Sequence, residues 1–194
     1  MYNTVQFEND LSALGITLSE KQMSQFMRYY ELLVEWNSFM NLTGITEFEE
    51  VMKKHFIDSV SLIKALDLKD KELSVIDIGT GAGFPGLPLK IAFPDLKVTL
   101  LDSLNKRIKF LDEVITELGL ENIDTIHGRA EDFAKPDKLR EKYDICVRGG
   151  YHCAPIKHKA LGTLGQGAIR VSISYFNTFS EIQKLVGAIK HLSK

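Results

Sequence analysis

The segment VIDIGTGAGFPG, residues 75–86, has the residue types and spacing of a loop that holds a small ligand. Gly79, Gly81 and Gly83 directly follow an apolar run, and glycine lets the backbone turn tightly and lets a ligand approach the main chain. Gly81, Gly83 and Gly86 also match the dinucleotide pattern G-x-G-x-x-G. That spacing does not by itself separate nicotinamide dinucleotides from other adenosine cofactors.

Two acidic residues and a proline bear on which cofactor the loop would hold. Asp77 stands just before the first glycine, where a carboxylate can accept a hydrogen bond from an ammonium group. Asp102, in LLDS, stands about 20 residues further along, where an acidic side chain can bind both ribose hydroxyls. Pro85 removes a backbone donor that a pyrophosphate would use. Asp77 and Pro85 favour S-adenosylmethionine, a zwitterion without phosphate, whereas Asp102 fits either adenosine cofactor. The alternative is that both carboxylates cap loops and the glycines only form turns.

A second cluster of reactive residue types lies in VRGGYHCAPIKHKALGTLGQGAIRVSISYFN, residues 147–177. His152, Cys153 and His158 are three possible zinc ligands within seven residues. No second pair elsewhere has a common metal-ligand spacing, so we predict no metal site. A free cysteine is more commonly a small buried hydrophobe than a reactive thiol, and this alternative stays open for Cys153.

The first part of the chain has a helical pattern. Ser19 and Gln22 predict a capping box before a helix with apolar residues at helical spacing, and Thr46 with Glu49 predicts a second capping box. Residues 1 to about 70 are therefore predicted to be helical.

From Leu73 onwards, short apolar runs alternate with helical segments. The predicted strands are LSVIDIG, KVTLLDS, NIDTIHG and YDICV, and the helix NKRIKFLDEVITELGL ends at Gly119. This alternation predicts an α/β fold with a parallel, doubly wound sheet. Such a sheet binds ligands beyond the carboxyl ends of its strands, which is where the glycine loop falls.

Composition sets broad limits on the partners and the compartment. The 194 residues carry a formal net charge of -2, which argues against coating nucleic acid by bulk charge and leaves room for a local basic patch. Cys146 and Cys153 are the only cysteines, and the sequence shows neither a secretory leader nor an apolar run of the roughly 20 residues that span a membrane. We therefore expect a cytoplasmic protein that does not bind a membrane and is a monomer.

Residues 1 to about 147 resemble the bacterial 16S ribosomal RNA guanine-N7 methyltransferases of type G, also called glucose-inhibited division protein B. The resemblance rests on four ordered blocks: LLVEWNSFMNLTGIT, KKHFIDSVSL, VIDIGTGAGFPGLPLKIAFPDLKVTLLDSLNKRIKFL and IHGRAEDFA. It implies a Rossmann-like fold, S-adenosylmethionine as cofactor, and 16S ribosomal RNA in the small ribosomal subunit as partner. Residues 1–70 would form a helical extension and residues 71–147 part of the methyltransferase domain.

The resemblance also implies roles for particular residues. Gly79, Gly81, Gly83 and Phe84 would line the cofactor pocket, Asp102 would hold the ribose, and Ala130 with Glu131 would lie beside the adenine. Arg148 would complete the set, although it follows Val147 at once, one residue earlier than the family's arginine, and such a slip reverses the face of a strand.

Guanine N7 carries a lone pair and no proton, so we predict no catalytic acid or base. The RNA candidates are Lys53, Lys54, Lys106 and Arg107, with a solvated charged face as the alternative.

Residues 148–194 do not continue that resemblance and are similar to the end of a class V aminotransferase of the cysteine desulfurase type. That similarity would make Cys153 a persulfide-forming nucleophile and Arg170 a carboxylate clamp. The sequence thus predicts a chimera, with a truncated sheet completed by a foreign C-terminal tail. Three functions follow: the methyltransferase, a remnant that binds cofactor or RNA without methyl transfer, and a pyridoxal-phosphate enzyme. The last is disfavoured because the domain bearing the Schiff-base lysine is absent.

Overall fold

The computed structural model describes residues 2–64, 66, 68, 72–133 and 145–147. The helices are α1 (Val5–Ala13), α2 (Glu20–Met40), α3 (Phe48–Val51), α4 (Asp58–Val60), α5 (Gly86–Ala92), α6 (Asn105–Leu118) and α7 (Ala130–Phe133). A π-helical segment (Met52–Ile57) joins α3 to α4, and a 3₁₀ turn (Ser61–Lys64) follows. The strands are β1 (Ser74–Ile78), β2 (Lys97–Asp102), β3 (Ile123–His127) and β4 (Ile145–Val147). Within these residues, no helix combines the length and apolar character needed to cross a membrane.

The four strands form one parallel sheet in the order β3-β2-β1-β4. Val75 pairs with Val98 on one side of β1 and with Ile145 on the other. Strands β2 and β3 are added on one side of β1, and β4 is then added on its other side. The carboxyl end of β1 therefore lies at the point where the strand order reverses. The predicted α/β class, the four strands and their parallel arrangement are confirmed.

Helix α2 begins at the predicted capping box. The Ser19 backbone N–H donates to Gln22 Oε1 at 2.8 Å, and the Gln22 N–H donates back to Ser19 Oγ at 3.3 Å. The helix buries a face made of Phe26, Tyr29, Tyr30, Leu32, Leu33 and Met40. Two glutamine side chains of α2 also bond other helices. Gln22 Nε2 donates to the Ile91 carbonyl at 2.8 Å, and Gln25 Nε2 donates to the Leu118 carbonyl at 2.8 Å. These bonds occupy carbonyl groups at the ends of α5 and α6 that have no partner within their own helices.

The second predicted capping box is wrong. Helix α3 starts at Phe48, its N-cap is Glu47, and no side chain bonds the helix end. The Thr46 carbonyl accepts a hydrogen bond from the Tyr30 hydroxyl at 3.0 Å, which links the segment between α2 and α3 to α2. Thr46 makes this tertiary contact through its backbone, and the helix begins two residues beyond it.

The helical layer contacts the glycine loop through His55, which lies in the π-helical segment. Its imidazole stacks on Phe84 with the ring centres 4.5 Å apart and the planes 15° apart, and its Nε2 lies 2.9 Å from Thr43 Oγ1. Burial lowers the pKa of His55 to about 4. A π-helical turn shifts the direction of the side chains that follow it, and such turns are frequent at functional sites.

The glycine loop is packed against the sheet at Gly86. An added Cβ there would lie 2.3 Å from Leu100 Cδ2 and 3.0 Å from Asp77 Oδ2. Gly44 offers the contrast, because its Cβ position has no atom within 4 Å. Close approach of α5 to β2 therefore requires glycine at position 86.

We expect Gly86→Ala to lower the free energy of unfolding by about 1–3 kcal/mol, because the methyl group overpacks a dense region. Gly44→Ala, the matched control, should change the free energy by less than about 0.5 kcal/mol. Urea unfolding of both variants measures the difference. Equal stabilities of the two would contradict the packing described here.

We also expect His55 to make the stability depend on pH. Its ordinary pKa is 6.5 and its folded pKa is about 4, so between these values the unfolded chain binds more protons than the folded chain. The free energy of unfolding should therefore fall as the pH drops from 6.5 towards 4. His55→Gln and His55→Phe should show a shallower fall, measured by urea unfolding at several pH values. Profiles parallel to that of the unaltered chain would refute a buried neutral imidazole.

Candidate functional site

The loop after β1 is shaped by glycines at positive φ. Gly79, Gly81 and Gly83 have φ values of 71°, 64° and 97°, a region that residues with a side chain rarely adopt. The Gly79 and Thr80 N–H groups both donate to the Leu101 carbonyl, at 2.7 and 3.1 Å. The loop is therefore bound to the end of β2, the strand beside it.

Asp102, the last residue of β2, accepts hydrogen bonds through both carboxylate oxygens. Its Oδ2 accepts from the Gly81 N–H at 3.0 Å and pairs with Arg107 Nη1 at 3.2 Å, while Oδ1 accepts from the Leu104 N–H at 2.9 Å. The side chain is 2% exposed. These bonds hold an acidic side chain at the edge of the sheet, directly beside the glycine loop. The predicted cofactor residues Gly81 and Asp102 are thus neighbours.

Asp77 lies inside the loop, whereas the sequence suggested contact with a cofactor. Its side chain is 0% exposed, and Oδ2 accepts from Thr80 Oγ1 at 2.6 Å and from the Gly86 N–H at 2.9 Å. The carboxylate therefore joins the start of the loop to the start of α5. These bonds give Asp77 a structural role within the loop, and the predicted contact with an ammonium group stays a prediction.

The inner side of the loop packs on Tyr29 of α2. The Tyr29 hydroxyl donates to the Ala82 carbonyl, and a Cβ at Gly83 would lie 2.8 Å from that hydroxyl and 2.3 Å from Leu87 Cδ1. Burial raises the pKa of Tyr29 well above 10, so the hydroxyl stays a donor. Phe84 packs beside the same ring, with centres 5.6 Å apart. No pattern in the sequence indicated this contact.

The outer side of the loop is open at Gly81. No atom lies within 4 Å of the position that its Cβ would occupy, and Gly79 is exposed. Open space beside a buried carboxylate is what a ligand with hydroxyl groups needs in order to reach it. The geometry therefore gives the loop an inner face that packs and an outer face that a ligand can approach.

The connection from β3 to α7 reaches the same edge of the sheet. The Gly128 N–H donates to the Asp102 carbonyl at 2.9 Å, and Ala130, half-buried, begins α7 two residues later. The side chain of Glu131 and the whole of Arg148 lie outside the described residues. The structure brings Gly79, Gly81, Gly83, Phe84, Asp102 and Ala130 together at one edge, and their cofactor roles stay predictions.

Two of the four RNA candidates are bound within the protein. Arg107 pairs with Asp102, and Lys54 pairs with Glu50 one helical turn away. Lys53 and Lys106 are exposed. Arg107 is better described as a neighbour that orients the Asp102 carboxylate than as a free cation on the surface.

Comparison with known proteins identifies the family. A sequence model described as rRNA small subunit methyltransferase G matches residues 22–158. The ribosomal RNA small subunit methyltransferase G of Lachnoclostridium phytofermentans is 58% identical over 147 residues, covering 76% of this chain and 60% of that protein. The protein of the same name from Alkaliphilus metalliredigens is 56% identical over 134 residues, covering 69% and 56%. The chain thus spans about 60% of the length of the curated relatives it matches.

The family match extends past the predicted junction near residue 147, to residue 158. The resemblance of residues 148–194 to aminotransferases is not supported by these comparisons, and those residues, with Cys153 and Arg170, lie outside the described part of the chain. The domain boundaries at 70 and 147 stay predictions. With most of its length inside the match, the chain belongs to the rRNA small subunit methyltransferase G family.

Proposed function

We propose that the chain binds S-adenosylmethionine at the outer face of the glycine loop, with Asp102 as the ribose ligand. The observation that carries this proposal is the hydrogen bonding of the loop amides. Six of the seven N–H groups in residues 79–86 donate within the protein, all except that of Ala82, and Pro85 has none. A loop that binds pyrophosphate presents free N–H groups to the ligand. This loop therefore suits an adenosine cofactor that has no phosphate.

The chemistry of Asp102 fits the same cofactor. A carboxylate only accepts hydrogen bonds, and a ribose offers two hydroxyl donors. The Arg107 guanidinium and two backbone N–H groups keep the carboxylate in place while its surroundings at Gly81 stay open. The loop thus has both an oriented acceptor and room for the sugar.

We further propose that the chain acts on N7 of a guanine in 16S ribosomal RNA, as a cytoplasmic monomer. Bound S-adenosylmethionine supplies an electrophilic methyl group on sulfur. Because guanine N7 attacks through a lone pair and loses no proton, the protein's task is to orient the two partners rather than to transfer protons. Asp102 and the glycine loop would orient the cofactor, and Phe84, held by His55 and Tyr29, would form a firm wall beside it.

A second candidate is a protein that binds the cofactor or RNA without methyl transfer. The observation in its favour is the length of the chain, which spans about 60% of the relatives it matches. The described residues include the whole glycine loop and Asp102. The longer relatives have further residues that could contribute to RNA binding. Cofactor binding and methyl transfer therefore need separate tests.

We expect Gly81→Ala to weaken S-adenosylmethionine binding at least about tenfold, because its methyl group would enter the open space beside Asp102. Gly119→Ala is the matched control, since Gly119 also has a positive φ of 58° and no atom within 4 Å, but it ends α6. Both variants should lose about 1–2 kcal/mol of stability from the same backbone strain. Calorimetric titration and urea unfolding measure the two effects. Equal dissociation constants for both variants would exclude the outer face of the loop as the site.

We expect methyl transfer from labelled S-adenosylmethionine to small ribosomal subunits that lack the modification. Asp102→Asn should lower kcat/KM about tenfold or more, because a charged hydrogen bond to the cofactor is lost, while Asp124→Asn on the exposed side of β3 should not. Chemical cleavage at 7-methylguanine locates the product. Cofactor binding without any transfer would establish the second candidate, and failure to bind the cofactor would refute both.

A further inference from the structure

The most exposed large hydrophobic side chain in the described part of the chain is Phe39, near the end of α2. It is 66% exposed, and its ring lies 5.4 Å from Trp36, which in turn lies 5.7 Å from the buried Phe110 of α6. A second exposed hydrophobic residue, Leu104, immediately precedes α6 and is 42% exposed. Side chains this exposed contribute little to burial on folding.

These residues lie at the same end of a helix pair. Arg28 of α2 contacts Glu117 of α6 at 2.8 Å, and Trp36 contacts Phe110, so the two helices run antiparallel. Continuing this register along both helices brings Phe39 beside the first turn of α6. We call the group formed by Trp36, Phe39, Leu104, Lys106 and Lys109 the aromatic–basic platform.

The charges of α6 are divided between its two halves. Its first five residues include Lys106, Arg107 and Lys109, whereas Asp112, Glu113 and Glu117 lie in its second half. The first turn has no acidic residue and no side-chain cap. Cations are unfavourable beside the positive end of a helix, and carboxylates are favourable there. Arg107 is neutralised by Asp102, but Lys106 and Lys109 form no ion pair with any described residue.

An exposed ring at the same end of the helix pair as two lysines that form no ion pair with the described residues fits single-stranded RNA. Bases splayed out of a helix stack on aromatic side chains, and lysines neutralise the phosphates between them. A second copy of the chain would place the same lysines against each other. The platform also borders the cofactor loop, because the Leu104 N–H donates to Asp102 Oδ1. Nucleotides on it would lie next to the site where methyl transfer is proposed.

We propose that the aromatic–basic platform binds the single-stranded nucleotides next to the target guanine. This inference rests on the proposed function, because it assumes that the chain acts on RNA. Phe39 provides the surface on which a base stacks, and Lys106 and Lys109 bind the phosphates on either side of that base.

The test uses the full chain and a single-stranded RNA of about 12 nucleotides with one guanine, followed by fluorescence anisotropy at several salt concentrations. Phe39→Ala should weaken binding about tenfold, as expected for loss of one stacked base. Lys106→Ala combined with Lys109→Ala should reduce the slope of log affinity against log salt by about 1.4, since each phosphate contact contributes about 0.7. The controls are Val5→Ala, which is 62% exposed on α1, and Lys21→Ala, which is exposed on α2. Both should bind RNA as the unaltered chain does.

Several results would overturn the proposal. If the unaltered chain binds RNA and the Phe39 and lysine variants bind it equally well, the platform is not the RNA-binding surface. That result would not contradict the proposed function. Equal binding of the annealed duplex would exclude single-stranded stacking. A concentration-dependent dimer abolished by Phe39→Ala would assign the surface to a second copy. If the unaltered chain binds S-adenosylmethionine but not RNA, both the platform and the RNA substrate fail. S-adenosylmethionine affinity should be the same in all variants. If Phe39→Ala weakened the binding of both RNA and S-adenosylmethionine, Phe39 would be needed for the fold rather than for RNA contact.

Discussion

The buried carboxylate of Asp77 determines the shape of the candidate site. Taking a charged group out of water is costly unless hydrogen bonds replace the lost hydration, and here Thr80 Oγ1 and the Gly86 N–H both donate to Oδ2. These two donors stand at the two ends of the glycine loop, so one side chain closes the loop on itself. Because α5 starts at Gly86, the same bond also sets the position of that helix against β2. The open outer face at Gly81 exists because the loop is held in this way from within.

The helical extension supports the same loop from the other side. Tyr29 donates to the Ala82 carbonyl and His55 stacks on Phe84, so α2 and the π-helical segment each contact the loop directly. Both residues lack a charge under neutral conditions, since burial raises the pKa of Tyr29 and lowers that of His55. A neutral wall can pack closely without the desolvation penalty of an ion. We infer that the extension and the sheet operate as one structure at the site, although they are separate in the sequence pattern.

Local rules account for what could be predicted, and long-range contacts for what could not. The four strands and α6 follow from apolar periodicity, and the ends of α2 and α6 from Ser19, Gln22 and Gly119. The place of Asp102 beside the glycine loop followed from its position at the end of β2, while its cofactor role stays a prediction. Thr46 does not cap α3, whose N-cap is Glu47, and its carbonyl accepts instead from Tyr30. Asp77 bonds Thr80 and Gly86 within the loop, which no local pattern indicated. The contact of Tyr29 with Ala82 joins residues 53 positions apart, and no spacing rule reports such a bond.

The proposed cofactor site and the proposed RNA surface depend on different residues, so they can be tested separately. Among the described residues, the hydrogen bonds given above for the loop and for Asp102 join residues between Tyr29 and Gly128, well inside the family match. The proposed RNA contacts involve instead exposed side chains, such as those of Phe39 and Lys106, whose removal should cost the fold little. A substitution on that surface can therefore change RNA affinity while the loop keeps its shape. A substitution at Asp77 or Gly86 should disturb the loop as well, because the Asp77 carboxylate closes the loop and Gly86 permits the close packing of α5 on β2.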